Sequence, residues 1–214
     1  QELREGMENG AAGIHVENLG ILKYAEDNHI PFSSGFSLNV FNSMSAGILQ
    51  DMGSKFVSLS PELSLEQISH ITPYIENCEA LCYGRVEMMV SEYCPVSAVN
   101  GGNCKNTGSG AVCEGGSPSL VDRYGLHFPV KTDIFCRSHI YNSKILSMLE
   151  NIEDIKDCGI KIIRLNMLEE DEGDIYRIVR AFKEALAWNG KGEMPENLLN
   201  TVQYIKNMGY TKGH

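Results

Sequence analysis

The sequence predicts an α/β protein that forms an incomplete (β/α) barrel of the TIM type, with a cysteine-rich loop insertion. Short apolar runs alternate with helical patterns along most of the 214 residues, giving about six strand–helix units in succession. Units in this order form a parallel sheet with right-handed crossovers. A complete barrel of eight units needs ~250 residues, so we expect one domain over residues 1–214 that lacks about two or three units.

The first half of the chain predicts three strand–helix pairs. Asn42 or Ser43 caps one helix, and Gly53 ends it. Ser64 stands three residues before Gln67, which is the spacing of a capping box. The predicted strands are residues 12–18, 30–40 and 55–63, and the predicted helices are residues 19–29, 42–53 and 64–75.

The second half contains a long segment without periodicity and the clearest helix. Residues 92–127 are rich in cysteine and glycine, and an aperiodic segment of this length indicates a function or a bound structure. The acidic start of "EEDEGDIYRIVRAFKEALAWNG" suits the N-terminal end of a helix dipole. Further strands are predicted at residues 78–90, 125–140 and 160–167, and further helices at residues 143–159 and 169–190.

The composition excludes some classes of partner. The net charge of −10 gives no general attraction to nucleic acids or anionic membranes. No apolar run approaches the roughly 18 residues that span a bilayer. The first residues, "QELREGMENGAAG", have no apolar signal-peptide core. We therefore expect a cytoplasmic protein without a membrane partner.

Four of the seven cysteines form the first candidate site. Without a secretory signal, cysteines indicate metal binding or reactive thiols more than a disulfide framework. Thiolates select zinc or iron–sulfur clusters, four of them satisfy either, and the glycines between them let the backbone approach a cluster closely. Because no CxxC pair exists, scattered thiols in a flexible loop remain the alternative. The four candidate ligands are Cys94, Cys104, Cys113 and Cys136.

Polar residues at predicted strand ends form the second candidate site, because active sites of parallel barrels lie at the C-terminal ends of the strands. Each also has a structural alternative, as a helix cap or as part of an ion pair. No GxSxG, HExxH or GxxxxGK motif is present, so the sequence names no familiar hydrolytic machinery. The predicted catalytic residues are Glu62, Glu92, Arg137 and His139, and the predicted substrate-binding residues are Asn39 and Arg85.

Several segments in order resemble peptidase family U32, the collagenase-like bacterial proteins of unassigned catalytic type. They are "NVFNS", "LQDMGSKFVSLSPELSLEQI", "YGRVEMMVSEYCP", "VDRYGLHFPVKTDIFCRSHIYNS" and "GYTKGH". The resemblance runs from about Gly13 to His214, and "FPVKTDIFCRSHIYNS" is its most specific part. It implies an eight-stranded (β/α) barrel, of which this chain would hold the later units.

The resemblance also implies an iron–sulfur centre, because several relatives bind one through four cysteines and serve in the hydroxylation of RNA bases or of a quinone precursor. Many relatives read His-Gly-Ala-x-Cys and then Ser-Gly-x-Cys. Here Glu87 stands where the first of those cysteines would be, and Cys94 keeps the second. Cys113 and Cys136 fit the later pair, and Cys104 would replace the missing ligand.

The first functional expectation is a U32-type peptidase, a hydrolase of unknown catalytic type with a four-cysteine metal site. One alternative is an iron–sulfur enzyme that hydroxylates RNA bases or a quinone precursor, and the other is a non-enzymatic, zinc-stabilised binding module. The expected cofactor is a [4Fe–4S] cluster, with zinc as the alternative. The expected substrate is a peptide or RNA, and a homodimer would cover the open sheet edge. Since a metal-bound thiolate cannot attack a carbonyl, a metal site predicts no nucleophilic Cys136–His139 dyad.

Overall fold

The computed structural model shows a mixed α/β architecture with a mostly parallel sheet, and it describes residues 2–99, 118–133, 135–188, 190 and 192–213. Eleven strands lie within these residues. They are β1 (Ile14–Val16), β2 (Phe32–Ser34), β3 (Val57–Ser58), β4 (Cys78–Gly84), β5 (Glu87–Ser91), β6 (Ser119–Val121), β7 (His127–Thr132), β8 (Ser138–Tyr141), β9 (Ile145–Ser147), β10 (Ile162–Leu165) and β11 (Tyr210–Thr211).

The larger sheet has seven strands and is parallel through most of its width. Strands β1, β2, β3 and β4 pair in parallel in that order, and β10 pairs in parallel with β4. Strand β9 pairs antiparallel with the end of β4, where Tyr83 faces Ser147, and β11 pairs with β9. The predicted parallel α/β sheet is therefore confirmed.

Helices follow the strands much as the periodicity predicts. Asn18, Asn42 and Asp171 cap three of them with their side chains. Ser64 and Gln67 form the predicted capping box. The helices are α1 (Glu2–Glu8), α2 (Leu19–Asp27), α3 (Ser43–Asp51), α4 (Leu65–Ile71), α5 (Pro95–Val99), α6 (Ile152–Asp157), α7 (Glu172–Ala187) and α8 (Glu196–Asn207).

A second, antiparallel sheet is inserted between β4 and β9. Its order is β5-β8-β7-β6. The predicted strand 78–90 is therefore two strands in two sheets, and they separate after Gly84. Gly84 has φ +125, and a Cβ there would lie 2.2 Å from the carbonyl oxygen of Asn166, so only glycine fits this turn. The predicted helix 143–159 likewise begins with strand β9, which pairs with β4 and β11.

A layer of polar side chains crosses one face of the parallel sheet, with one residue from each of five strands. The carboxylate of Glu79 is only 3% exposed and accepts hydrogen bonds from Ser58 Oγ and from Arg164 Nε at 2.7 Å. Arg164 Nη2 lies 3.1 Å from Nδ1 of His15, which also lies 2.9 Å from Ser33 Oγ.

The contact between His15 and Arg164 shows that the sheet is strongly curved. His15 lies on β1 and Arg164 on β10, which are four steps apart in the sheet. Neighbouring strands lie ~4.8 Å apart, so a flat sheet would separate these two strands by about 19 Å. Side chains of this length meet only if the sheet bends toward the face that carries them.

We expect Arg164→Met to destabilise the protein strongly. The change leaves the Glu79 carboxylate buried without its cationic partner, and breaking such a pair costs about 3 kcal/mol or more in the free energy of unfolding. Urea unfolding followed by circular dichroism measures the effect. Arg180→Met is the matched control, because its ion pair with Glu184 lies on the exposed surface of α7. Equal midpoints for the two variants would contradict the structural importance of the buried pair.

Candidate functional site

A cleft of about 440 Å³ lies at the C-terminal ends of β2, β3 and β4. The predicted residues Asn39 and Glu62 both line it, together with Glu87 from the inserted sheet. Ligand sites of parallel α/β sheets form at this end of the strands. The lining residues are Phe36, Ser37, Asn39, Ser60, Pro61, Glu62, Val86, Glu87, Met88, Asn142, Leu146, Thr211 and Gly213.

Asn39 and Glu62 are available to a ligand in different ways. Asn39 adopts the left-handed conformation (φ 60) that ends the short 3-10 turn Phe36–Leu38, and its side chain is exposed. Asparagine tolerates this conformation better than most residues. Glu62 is exposed, and within the described part of the chain its carboxylate forms no salt bridge. The cleft therefore presents the Asn39 amide and the Glu62 carboxylate, neither of which is paired with another side chain among the described residues.

His139 connects the cleft to the turn between β7 and β8. Its Nδ1 lies 2.5 Å from Glu87 Oε2, and its Nε2 lies 3.4 Å from Asp133 Oδ2. Asp133 is in turn held by Arg137 through two contacts of 2.6 and 2.8 Å. The predicted residues Arg137 and His139 thus belong to one hydrogen-bonded cluster, and Glu87 joins this cluster to the cleft.

The two carboxylates favour the protonated form of His139. Burial opposes protonation, but hydrogen bonds and charge interactions with Glu87 and Asp133 raise the pKa of His139 above its usual value overall. For Asp133, burial acts to raise the pKa, but hydrogen bonds from Arg137, His139 and Phe135 hold it well below its usual range. The cluster therefore places a histidine whose protonated form is favoured between two carboxylates.

Two of the four candidate thiols lie at one end of the small sheet. Ser91, the last residue of β5, pairs with Ser138, the first residue of β8. Cys94 follows that pair by three residues and Cys136 precedes it by two, so both lie beyond the same sheet end. Cys94 Sγ accepts a hydrogen bond from the Ser97 backbone N–H at 3.4 Å.

The turn that carries Cys136 is tightly closed. The Cys136 N–H donates to the Asp133 carbonyl at 2.9 Å, and Cys136 has a positive φ of 60, which is rare for a residue with a side chain. Cys104 and Cys113 lie outside the described residues. Among the residues that are described, no three His, Cys, Asp or Glu side chains form a group that could hold a metal.

The remaining predicted residues are placed away from the cleft lining. Arg85 donates to the carbonyls of Asn142 and Ser143 at 3.0 and 2.6 Å and lies 3.7 Å from Glu169, so it joins the two linkers between the sheets. Glu92 is exposed just after β5. Their predicted roles in binding and catalysis stay predictions.

The structure also tests whether Ser138 could be a nucleophile activated by His139. Side chains of adjacent residues in a strand point to opposite faces of the sheet. Ser138 and His139 are neighbours on β8, and Ser138 is completely buried while His139 is partly exposed. These two side chains therefore do not form a nucleophile–base pair.

Sequence reasoning missed the polar layer on the sheet face and the role of Glu87. His15, Glu79 and Arg164 each interrupt an apolar strand, in "IHV", "CEALCYG" and "IIRL". A charged residue within a buried strand is costly unless it is paired, so these interruptions were the available signal. Glu87 had no comparable signal, because its partner His139 lies 52 residues away.

The fold and the cleft define an α/β protein with a candidate ligand site at the C-terminal ends of its parallel strands. The chain belongs to Peptidase family U32, because the sequence model of this family matches residues 1–214. No curated protein and no solved structure matches the sequence. Within the described residues, none of the helices has the length and apolar character needed to cross a membrane.

We expect the stabilising effect of His139 to depend on pH. Because its pKa is raised in the folded protein, its contribution is complete below about pH 6.5, the value typical of an unfolded chain, and is lost as the pH rises through the folded value. The difference in melting temperature between wild type and His139→Gln should therefore be largest near pH 6 and shrink toward pH 9. In a Glu87→Gln background this dependence should weaken, and an unchanged profile there would contradict the pairing.

Proposed function

We propose that the chain is a peptide hydrolase whose cleft binds a peptide beside the Glu87–His139 pair. One observation carries this proposal: the Glu62 carboxylate and the Glu87 carboxylate, which is hydrogen-bonded to His139, both line the same cleft. Two acidic groups with different environments are the arrangement that separates a general base from a general acid. Membership of a family of peptidases supports the same reaction class.

The proposed reaction uses water as the nucleophile. Glu62 accepts a proton from the water while the water oxygen forms a bond to the peptide carbonyl carbon and the C=O π electrons move onto the carbonyl oxygen, from which they re-form the double bond when the amine leaves. As the carbon–nitrogen bond breaks, the leaving amine takes a proton from His139 through Glu87. Asn39 donates a hydrogen bond to the substrate from the cleft wall. Arg137 positions the Asp133 carboxylate, and Asp133 in turn contacts Nε2 of His139.

We further propose that the sheet is part of a (β/α) barrel. At the mouth of this barrel we propose a metal site whose ligands are Cys94, Cys104, Cys113 and Cys136. The strong curvature of the sheet supports the barrel. The positions of Cys94 and Cys136 at one sheet end, and the N–H···S bond to Cys94, suit a thiolate site. A [4Fe–4S] cluster is the proposed occupant, with zinc as the alternative.

A second candidate function is the hydroxylation of an RNA base or a quinone precursor by an iron–sulfur enzyme. The observation that favours it is the position of Cys136, whose N–H donates to the Asp133 carbonyl, in the turn whose Asp133 carboxylate contacts His139. In that case the cluster would supply electron transfer. The cleft would bind an aromatic ring against Phe36 and Met88 rather than a peptide.

We expect Glu62→Gln and His139→Gln each to lower kcat for peptide cleavage at least about 100-fold, which is the usual contribution of a general acid or base. Mass spectrometry of gelatin-derived peptides incubated with the purified protein measures the products. Glu66→Gln, a change on the exposed first turn of α4, is the control and should cleave like the wild type. Full activity of both site variants would exclude this assignment of acid and base.

Removal of single thiols tests the metal site. Protein purified without oxygen should absorb broadly near about 400 nm if it holds an iron–sulfur cluster, and Cys94→Ser or Cys136→Ser should lose most of this band. Cys158→Ser is the control, because Cys158 follows α6 and donates to the Leu65 carbonyl.

The other outcomes of the thiol experiment are also decisive. If the wild type is colourless and binds one zinc ion that both variants lose, the metal is zinc. If that protein also has no enzymatic activity, the zinc-stabilised binding module becomes its function. Equal metal contents in Cys136→Ser and Cys158→Ser would contradict the four-thiol site. If Cys136→Ala keeps its metal but loses gelatin cleavage, Cys136 is the nucleophile and the water mechanism is wrong.

A further inference from the structure

A third carboxylate, Glu17, is fixed beside the cleft at the C-terminal end of β1. Its Oε2 accepts the backbone N–H of Ser37 at 2.9 Å, and its Oε1 lies 3.2 Å from His15 Nε2. Gly35 makes room for it, because a Cβ there would lie 2.2–2.3 Å from the carboxyl group. The Glu17 side chain remains 40% exposed, so it is held in one place and still open to a ligand.

The charge of Glu17 is not cancelled by its neighbour His15. Arg164 Nη2 can only donate a hydrogen bond, and it faces His15 Nδ1 at 3.1 Å. Nδ1 is therefore the acceptor of a neutral ring, and the ring proton is on Nε2, toward Glu17. Burial acts to raise the pKa of Glu17, but the close contact with His15 and the hydrogen bond from the Ser37 N–H lower it overall.

The cleft next to Glu17 carries only negative side-chain charges. Phe36 and Ser37, which adjoin Glu17, line it together with Glu62 and Glu87, and none of the described lining residues is basic. Lys212 lies between two lining residues but is paired with Glu150. Such a cleft attracts cations and repels polyanions, because low-dielectric walls focus the field of the charges that line them.

The apolar part of the cleft suits the stem of a long basic side chain. Phe36, Val86, Met88 and Leu146 supply apolar walls between the carboxylates. Lysine and arginine bury their aliphatic stems on such surfaces while their charged ends reach a polar group. An aromatic ring such as Phe36 also attracts a cation at its face.

We infer that Glu17 is a specificity residue that binds the ammonium or guanidinium group of a basic side chain in a peptide substrate. The inference rests on the proposed peptide-binding function of the cleft. It selects peptide over RNA as the substrate class, because a phosphate backbone would meet Glu62 and the His139-bonded Glu87 in the lining and Glu17 beside it, and none of the described lining residues is basic.

Binding of labelled peptides tests the inference without requiring cleavage. The probes are blocked hexapeptides of glycine and alanine with one central residue: lysine, norleucine, arginine or citrulline. Norleucine and citrulline keep the shape of lysine and arginine but carry no charge. Fluorescence anisotropy should show Kd values about fivefold lower for each charged peptide than for its neutral counterpart, as expected for one half-exposed ion pair.

Glu17→Gln should remove this preference and leave the Kd of the neutral peptides unchanged. Glutamine keeps an acceptor for the Ser37 N–H, so the local fold is retained. Glu66→Gln is the matched control and should keep the preference. Equal Kd values for the charged and neutral peptides with the wild type would overturn the inference, as would absence of binding by all four.

The two failures can be told apart. Cleavage of gelatin peptides without preference for basic residues would overturn the role of Glu17 and leave the hydrolase standing. A preference for basic peptides without cleavage would leave the role of Glu17 standing and overturn the hydrolase. Tighter binding of a labelled RNA oligonucleotide than of the lysine peptide would overturn the inference in favour of the second candidate function.

Discussion

The buried ion pair between Glu79 and Arg164 is the contact on which the curvature of the parallel sheet depends. It joins β4 to β10 with a nearly inaccessible carboxylate, and Arg164 Nη2, which donates to Glu79 Oε2 at 3.2 Å, also contacts His15 on β1. Because the Glu79 carboxylate is removed from water while Arg164 stays partly exposed, the buried charge is tolerable only with its full set of partners. The same set brings the C-terminal ends of the strands toward one another, where the cleft forms.

The two proposed sites lie at opposite ends of the inserted antiparallel sheet. Glu87, at the start of β5, reaches the cleft, whereas Cys94 and Cys136 lie beyond the end where Ser91 pairs with Ser138. His139 lies between them and contacts Glu87 on one side and Asp133 on the other. His139, which can carry a proton, thus connects the end of the sheet proposed to bind substrate with the end that carries Cys94 and Cys136.

Local signals in the sequence predicted the elements that depend on local physics. The capping box at Ser64 and the cap at Asn42 are formed as predicted, because a side chain satisfies backbone donors within three residues. The segment around Gly84 was predicted as one continuous strand, since apolar runs do not show which sheet a residue joins. The turn at Gly84 is set by the approach of Asn166, which lies 82 residues further along the chain.

By itself, the sequence determined the α/β class and the family, since these are properties of order, residue type and spacing, and the four-thiol site stays a prediction. It also placed Asn39 and Glu62 at strand ends, where parallel sheets build their sites. Only the tertiary structure decided that Glu87 is the partner of His139 and that His15 leaves the charge of Glu17 uncancelled. Those pairings are set by strand register and sheet curvature, which bring together residues that no local pattern relates.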